Sequence, residues 1–269
     1  MRKRYHMRFG ICAPYREVAA WETYPFDYLE ESVQRFLIPE RPQEDFEEIW
    51  QEARQLPVPI DAAKSLLPAD LTVVATPTRP VDTNRLERYI KTALQRAEQV
   101  GIRIIVFGSG SARACPPGYN RADAVQQIGA HLSQWSDWAQ NQGVQIVLEP
   151  LRYEETNTLN TVAESGTLVV SIGKPGARLL ADVYHMACNN ESPEDILLWS
   201  SLLSHVHVAE KRDRAAPGRY GEDFRPYFSA LQQADYDRRI SIECNWQNLA
   251  AEVNLAIKTL REQWMTSAV

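Results

Sequence analysis

The sequence contains no apolar run close to the roughly 18–20 residues that a membrane-spanning helix needs. Its basic first seven residues lead directly into a strand-like run, without the apolar segment of a signal peptide. The four cysteines are isolated and form no CxxC pair. Free thiols in a reducing compartment are therefore expected, which predicts a cytoplasmic protein.

Positive charge is also scarce. Lysine and arginine number 29 against 35 aspartates and glutamates, so the 269-residue chain carries a net charge of −6 at pH 7. This balance argues against binding DNA or RNA through phosphate contacts and, more weakly, against binding an anionic membrane surface.

The composition is that of a folded protein, with 44% hydrophobic and 24% charged residues. There is no low-complexity segment and no long linker rich in Gly, Ser or Pro. We therefore expect one domain over residues 1–269.

Short apolar runs alternate with longer amphipathic stretches. Helical repeats extend from Asp82 to Gly101, from Ala122 to Gly143, and onward from Gln247. The second predicted strand is weak, and the third is poor because it contains a proline. The predicted strands are residues 7–12, 27–31, 58–62, 102–107, 144–148, 178–182, 204–208 and 239–243.

Eight strands separated by helices over this length predict a single (β/α)8 TIM barrel. An open, doubly wound sheet is the alternative. Gly108-Ser-Gly110 follows a strand, but no third glycine completes a dinucleotide-binding fingerprint.

Acidic residues or histidines mark the ends of the last four predicted strands. Glu149, Asp182 and Glu243 end three of them, and the other contains His205 and His207. In a barrel these ends converge at the functional face. Carboxylates with one imidazole suit Mn²⁺, Mg²⁺, Co²⁺ or Zn²⁺. Such an ion would polarise a carbonyl and acidify the adjacent C–H, whose proton a carboxylate could remove.

Each of these residues has an ordinary structural explanation when it is taken alone. A carboxylate at a strand end often caps the following helix or pairs with a lysine. His205 and His207 share one face of their strand, so one of them could be a hydrogen-bonded packing residue. The joint pattern over four strand ends favours the functional interpretation.

Four segments in order resemble the sugar phosphate isomerase/epimerase family of xylose isomerase-like barrels. This family includes ketose 3-epimerases, hydroxypyruvate isomerase and endonuclease IV. Phe107–Gly110 with Arg113, and Glu155–Thr161, also fit, so the resemblance covers nearly the whole chain. The four segments are Leu148-Glu-Pro-Leu151, Asp182-Val-Tyr-His-Met186, His205-Val-His-Val-Ala-Glu210 and Ser241-Ile-Glu243.

The resemblance implies one divalent metal ion and a sugar-like substrate. In ketose 3-epimerases the two glutamates that match Glu149 and Glu243 also form an acid/base pair on opposite faces of the substrate carbon. His185 and Glu155 match substrate-binding positions. The residues that match the metal ligands are Glu149, Asp182, His207 and Glu243.

The substrate-binding arginine of those relatives is displaced here. Six residues after the matching histidine the chain has Asp213, flanked by Arg212 and Arg214. Arg214 keeps its spacing to Pro217-Gly218, so we predict a one-residue insertion and assign the substrate contact to Arg214. A solvated charged loop is the alternative.

Several loops that would line the pocket do not indicate which substrate it binds. Residues 12–16 and 62–68 would line the pocket but match no known specificity. Trp246, three residues after Glu243, is predicted to form part of the pocket wall. The loop from Gly108 to Arg113 either cradles a phosphate with its amides and the arginine or is a plain turn.

The sequence therefore predicts a metal-dependent isomerase or epimerase that acts on a small sugar, polyol or keto-acid. We expect no nucleic-acid or membrane partner, and a homodimer or homotetramer as in many relatives. One alternative is an endonuclease IV-like DNA-repair enzyme, although such enzymes hold three zinc ions with many histidines and this chain has five. The others are a non-catalytic metabolite-binding barrel and a dehydratase or lyase that shares the first proton abstraction.

Overall fold

Eight parallel strands close into a barrel in the computed structural model, which describes residues 7–267. Each strand pairs with the next in sequence, and the last pairs with the first. This confirms the predicted (β/α)8 barrel and excludes the open sheet. The basic residues 1–6 lie outside the described residues. The strands are β1 (Arg8–Cys12), β2 (Tyr28–Ser32), β3 (Ile60–Lys64), β4 (Ile104–Phe107), β5 (Gln145–Leu148), β6 (Ala177–Asp182), β7 (Leu203–Val208) and β8 (Arg239–Ile242).

Helices connect the strands, and their ends follow the predicted signals. The Asp82 side chain accepts the backbone N–H of Arg85 at the start of the third helix, and Gly101 ends that helix with a φ of 86°. No helix within residues 7–267 is long and apolar enough to cross a membrane. The helices are α1 (Tyr15–Val18), α2 (Gln43–Ala53), α3 (Thr83–Val100), α4 (Arg121–Asn141), α5 (Val162–Ile172), α6 (Val183–Asn189), α7 (Glu194–Trp199), α8 (Arg225–Gln233) and α9 (Leu249–Thr266).

Strand β3 begins two residues later than the sequence predicted. Pro57 and Pro59 precede the strand instead of interrupting it, so their missing N–H groups remove no bond from within the strand. As a consequence, Lys64 ends the strand at the mouth of the barrel, where the sequence had placed a loop.

The barrel interior contains an apolar cluster and buried polar side chains. A small buried cluster fills the middle of the barrel, while a much larger apolar layer lies between the strands and the helices. Buried polar side chains share this interior, since Glu30 pairs in register with Ala62 and His205 pairs in register with Leu180. The interior cluster consists of Ala62, Ile104, Val106, Val147 and Leu180.

Candidate metal centre

Side chains from four consecutive strands meet at the carboxyl-terminal mouth of the barrel. Glu149 directly follows β5, Asp182 ends β6, His207 lies in β7 and Glu243 directly follows β8. One ligand atom from each of the four lies within 4.8 Å of the other three. Barrel closure therefore brings together the four residues that the sequence assigned to a metal ion.

The backbone around β4 leaves room for Glu149 and holds it in place. A Cβ atom at Gly108 would lie 2.2 Å from Glu149 Oε2, so a side chain there would meet the carboxylate. The fully buried Arg113 donates to the backbone carbonyls of Gly108, Glu149 and Thr158 at 2.5, 2.8 and 2.7 Å. Its guanidinium thus clamps three chain segments, which leaves no role for it in the phosphate cradle considered above.

Glu243 lies between two cations. Lys64 Nζ is 2.7 Å from its Oε1, and Arg214 Nη2 is 2.5 Å from its Oε2. Although burial raises the pKa of Glu243, Lys64, Arg214 and His207 outweigh burial and hold that pKa well below its usual value. By contrast, burial and the nearby Glu243 raise the pKa of Glu149. The two carboxylates therefore differ in proton affinity.

Carboxylates of other residues lie on both sides of the His207 ring. Its Nδ1 lies 3.1 Å from Glu149 Oε1 and 3.2 Å from Glu243 Oε2, and its Nε2 lies 2.9 Å from Glu30 Oε1. Burial lowers the pKa of His207, but Glu30 and Glu243 reverse this effect and raise it well above its usual value. The buried ring is thus surrounded by negative charge.

His185 directs one ring nitrogen toward the cavity above this cluster. Its Nδ1 accepts the backbone N–H of Arg152 at 3.2 Å. Because Nδ1 accepts, a neutral ring carries its proton on Nε2. That Nε2 has no hydrogen-bond partner within residues 7–267 and lies 3.5 Å from Asp182 Oδ2. His185 can therefore donate a hydrogen bond to a ligand.

The structure separates the two candidate arginines. The Arg214 side chain is 19% exposed and lies 4.7 Å above the Tyr184 ring, facing the cavity. The Arg212 side chain is 71% exposed and stacks 4.0 Å above Tyr220. Asp213 and Arg214 have φ values of 60° and 50°, so the chain kinks at the point where the sequence indicated an inserted residue.

A cavity of about 150 Å³ opens above the four clustered residues. Glu155 lines it, with Oε1 2.8 Å from Arg152 Nε and 3.7 Å from Arg214 Nη1. Trp246 is absent from the cavity wall formed by the described residues, and its indole N–H donates to the Cys12 carbonyl at 3.2 Å. The lining residues are Lys64, Ser65, Gly108, Ser109, Gly110, Glu149, Leu151, Glu155, His185, Arg214 and Glu243.

Sequence reasoning did not single out two charged residues of this region. Lys64 was placed in a loop because β3 was predicted to end two residues too early. Glu30 is fully buried in β2, a strand that the sequence indicated only weakly. The available signal was the alternation of Tyr28 and Glu30 with Leu29, which turns the glutamate into the barrel.

A family model described as the xylose isomerase-like TIM barrel matches residues 18–267. The chain belongs to this family. The resemblance stated from the sequence is thereby confirmed. A curated relative, the L-ribulose 3-epimerase of Methylomonas sp. (strain DH-1), is 32% identical over 146 residues, which make up 48% of this chain and 49% of that protein. The chain spans about half the length, or less, of the curated relatives it matches.

Solved structures share the family's fold over nearly the full chain. The D-allulose 3-epimerase from Methylomonas sp. in complex with D-allulose aligns with a TM-score of 0.77 and 20% identity, covering 96% of this chain and 97% of that one. The IOLI protein with a bound zinc atom aligns with a TM-score of 0.69 and 15% identity, covering 97% and 98%. At these identities the likeness establishes the fold alone.

Proposed function

We propose that this protein is a metal-dependent epimerase or isomerase of a small sugar-like substrate. The observation that carries the proposal is the cluster of Glu149, Asp182, His207 and Glu243 beneath an open cavity. The relatives support the substrate class, because they are named as epimerases of L-ribulose and D-allulose.

The donor set fits a divalent metal ion. Three carboxylates and one imidazole are ligands suited to Mn²⁺, Mg²⁺, Co²⁺ or Zn²⁺. When bound, such an ion would polarise a substrate carbonyl and acidify the neighbouring C–H.

We assign the proton transfers to Glu149 and Glu243. Both carboxylates approach the same nitrogen of His207, at 3.1 and 3.2 Å, from two different strands. They therefore border one small space from two directions. One glutamate would take a proton from the substrate carbon, and the other would return a proton to the opposite face, which inverts that carbon.

The remaining polar groups of the cavity would bind and orient the substrate. His185 Nε2, the Arg214 guanidinium and the Lys64 ammonium are hydrogen-bond donors, so they suit the hydroxyl and carbonyl oxygens of a ketose. The Glu155 carboxylate can accept a substrate hydroxyl. Trp246 would act indirectly, by supporting the end of β1 at Cys12.

We further propose that the protein acts in the cytoplasm on a soluble metabolite. The four cysteines are unpaired in the described structure, which suits a reducing compartment. A net charge of −6 and a cavity of about 150 Å³ suit a small ligand better than a nucleic-acid duplex.

The experiment that tests the proposal compares Glu149→Gln and Glu243→Gln with wild type. Each protein is loaded with Mn²⁺ or Co²⁺ and incubated with L-ribulose or D-allulose in D₂O, and NMR follows deuterium uptake beside the carbonyl. We expect wild type to exchange and epimerise the sugar, and each variant to lose about 10²–10⁴-fold in rate, as is typical when a general acid or base is removed.

Glu154→Gln is the matched control, because Glu154 is an exposed glutamate beside the cavity residue Glu155. It should keep the wild-type rate. Near-normal exchange by either site variant would remove that glutamate from the mechanism. Failure of wild type to bind any of the four ions would overturn the metal-dependent function itself.

A further inference from the structure

A buried carboxylate lies directly beneath the proposed metal centre. Glu30 is 0% exposed, and its side chain reaches from β2 across the barrel interior. Its Oε1 lies 2.9 Å from His207 Nε2. Its Oε2 lies 2.7 Å from His205 Nε2 and 2.6 Å from Ser241 Oγ. Neighbouring donors therefore occupy both oxygens of Glu30.

This contact determines which nitrogen of His207 is available to a metal ion. An ionised carboxylate only accepts hydrogen bonds, and Glu30 would remain beside Nε2 when Glu149 and Glu243 hold a metal ion, so the proton of a neutral, ligating His207 ring lies on Nε2. The unprotonated Nδ1 then faces Glu149 and Glu243, on the side of the ligand cluster. When the second nitrogen of a ligating imidazole donates to a carboxylate, that contact fixes the tautomer and the ring orientation and makes the ligand more basic.

The three donors also prevent Glu30 from turning away from His207. Rotating the carboxylate would break the contact to His205 or to Ser241, and Ser241 Oγ is itself held by the Tyr28 hydroxyl at 2.8 Å. The His205 and His207 rings are packed edge to face, with centroids 4.9 Å apart. This buried network therefore holds the His207 ring in one position.

We propose that Glu30 is a positioning residue that presents His207 Nδ1 to the metal ion and thereby sets the metal affinity of the centre. The proposal rests on the proposed function for the existence of a metal site, but it concerns affinity and tautomer rather than the reaction. Glu30 lies too deep in the barrel to line the cavity.

Metal affinity provides the first test. Zn²⁺ dissociation constants of the full-length protein are measured by competition with a chelator of known affinity. Glu30→Gln keeps the side-chain shape but replaces one acceptor oxygen with a donor NH₂ group. We expect it to bind Zn²⁺ about 10–100-fold more weakly than wild type, as is typical when the outer partner of a ligating histidine is lost.

Ser241→Ala is the matched control. It removes one donor from the same carboxylate, but none of the hydrogen bonds of the Ser241 hydroxyl within residues 7–267 reaches His207. We expect its Zn²⁺ affinity to stay within about threefold of wild type. Equal losses in Glu30→Gln and Ser241→Ala would mean that the network is only structural, and the proposal would be wrong.

The tautomer provides a second test that needs no variant. Long-range ¹H–¹⁵N NMR of ¹⁵N-histidine-labelled, Zn²⁺-loaded wild type reports which nitrogen of His207 carries the proton. We expect a protonated Nε2 and a metal-bound Nδ1, and the opposite pattern would overturn the proposal even if Glu30→Gln does not fold. A wild type that binds Zn²⁺ with Nδ1 protonated contradicts only this inference, whereas a wild type that binds no metal contradicts the proposed function as well.

Discussion

Gly108→Ala tests whether the carboxylate of Glu149 is a metal ligand in the position that the structure gives it. The added methyl group would lie 2.2 Å from Glu149 Oε2, and ordinary contacts at this position begin at 3.4 Å. The oxygen must therefore withdraw by about 1.2 Å. Oε1 of the same carboxylate faces His207 Nδ1, and this shift would carry it along by far more than the roughly 0.2 Å within which metal–ligand distances hold, so we expect Glu149 to leave the coordination sphere.

The fold should tolerate the same change. The atom that must move is the far end of a flexible side chain, and Gly108 does not have a positive φ. An alanine also restricts the unfolded chain, which stabilises a protein by about 0.4–1 kcal/mol where the backbone is compatible. We therefore expect the melting temperature without added metal to change by no more than about 2–4 °C.

The assay is a Zn²⁺ titration of Gly108→Ala beside Ser111→Ala, an exposed position in the same loop. Loss of a direct ligand should weaken binding by at least the roughly 10–100-fold that follows the loss of an outer-shell partner. Ser111→Ala should match wild type. Wild-type affinity in Gly108→Ala would refute the reasoning, because the displaced carboxylate would then be unnecessary for binding.

The remaining predictions concern the charges around the cluster. Arg214→Ala should raise KM for the active ketose about tenfold or more, the scale of one lost hydrogen bond to a charged group, whereas Arg212→Ala should change it less than twofold. Steady-state kinetics checks this, and the reverse order would transfer the substrate contact to Arg212. Lys64→Met should weaken metal binding more at pH 5 than at pH 8. Lys64 lowers the pKa of Glu243, so without the ammonium Glu243 takes up a proton at a higher pH. That proton then competes with the metal ion for the carboxylate. An unchanged ratio of dissociation constants at the two pH values would contradict this. Metal binding near pH 7 should also release a proton, because the neighbouring carboxylates raise the pKa of His207 and a ligating imidazole must be neutral. Calorimetry in two buffers of different ionisation enthalpy measures the release, and identical heats would exclude it.

The four clustered residues could be predicted because a local pattern indicates the three carboxylates and a pair of histidines, and the family resemblance selects His207 from that pair. Apolar runs that end in Glu149, Asp182 or Glu243, and one that contains His207, identify strands whose ends are polar. Barrel topology then forces those ends together, whatever the details of packing. The position of Arg214 at the cavity was also predictable, since the spacing to Pro217-Gly218 locates the inserted residue.

Other features depend on geometry that no local pattern records. The boundary of β3 was wrong because the predicted strand included Val58 and Pro59, whereas the observed strand begins after that proline, at Ile60. Because of that two-residue error, Lys64 was not predicted to be part of the site. Burial of Glu30 depends on partners about 175 and 211 positions away in the sequence, His205 and Ser241, which only barrel closure brings to it.

The two halves of the barrel contribute different residues to this centre. Strands β5 to β8 supply the four clustered residues, and the earlier strands supply groups that hold three of them. The fourth, Asp182, is held from the second half, because its carboxylate accepts the backbone N–H of Tyr184 at the start of α6 and lies 3.5 Å from Arg214 Nη2. Substitutions in the first half should therefore alter metal affinity without changing any of the four clustered residues themselves. The supporting contacts are Glu30 on His207, Lys64 on Glu243 and Gly108 beside Glu149.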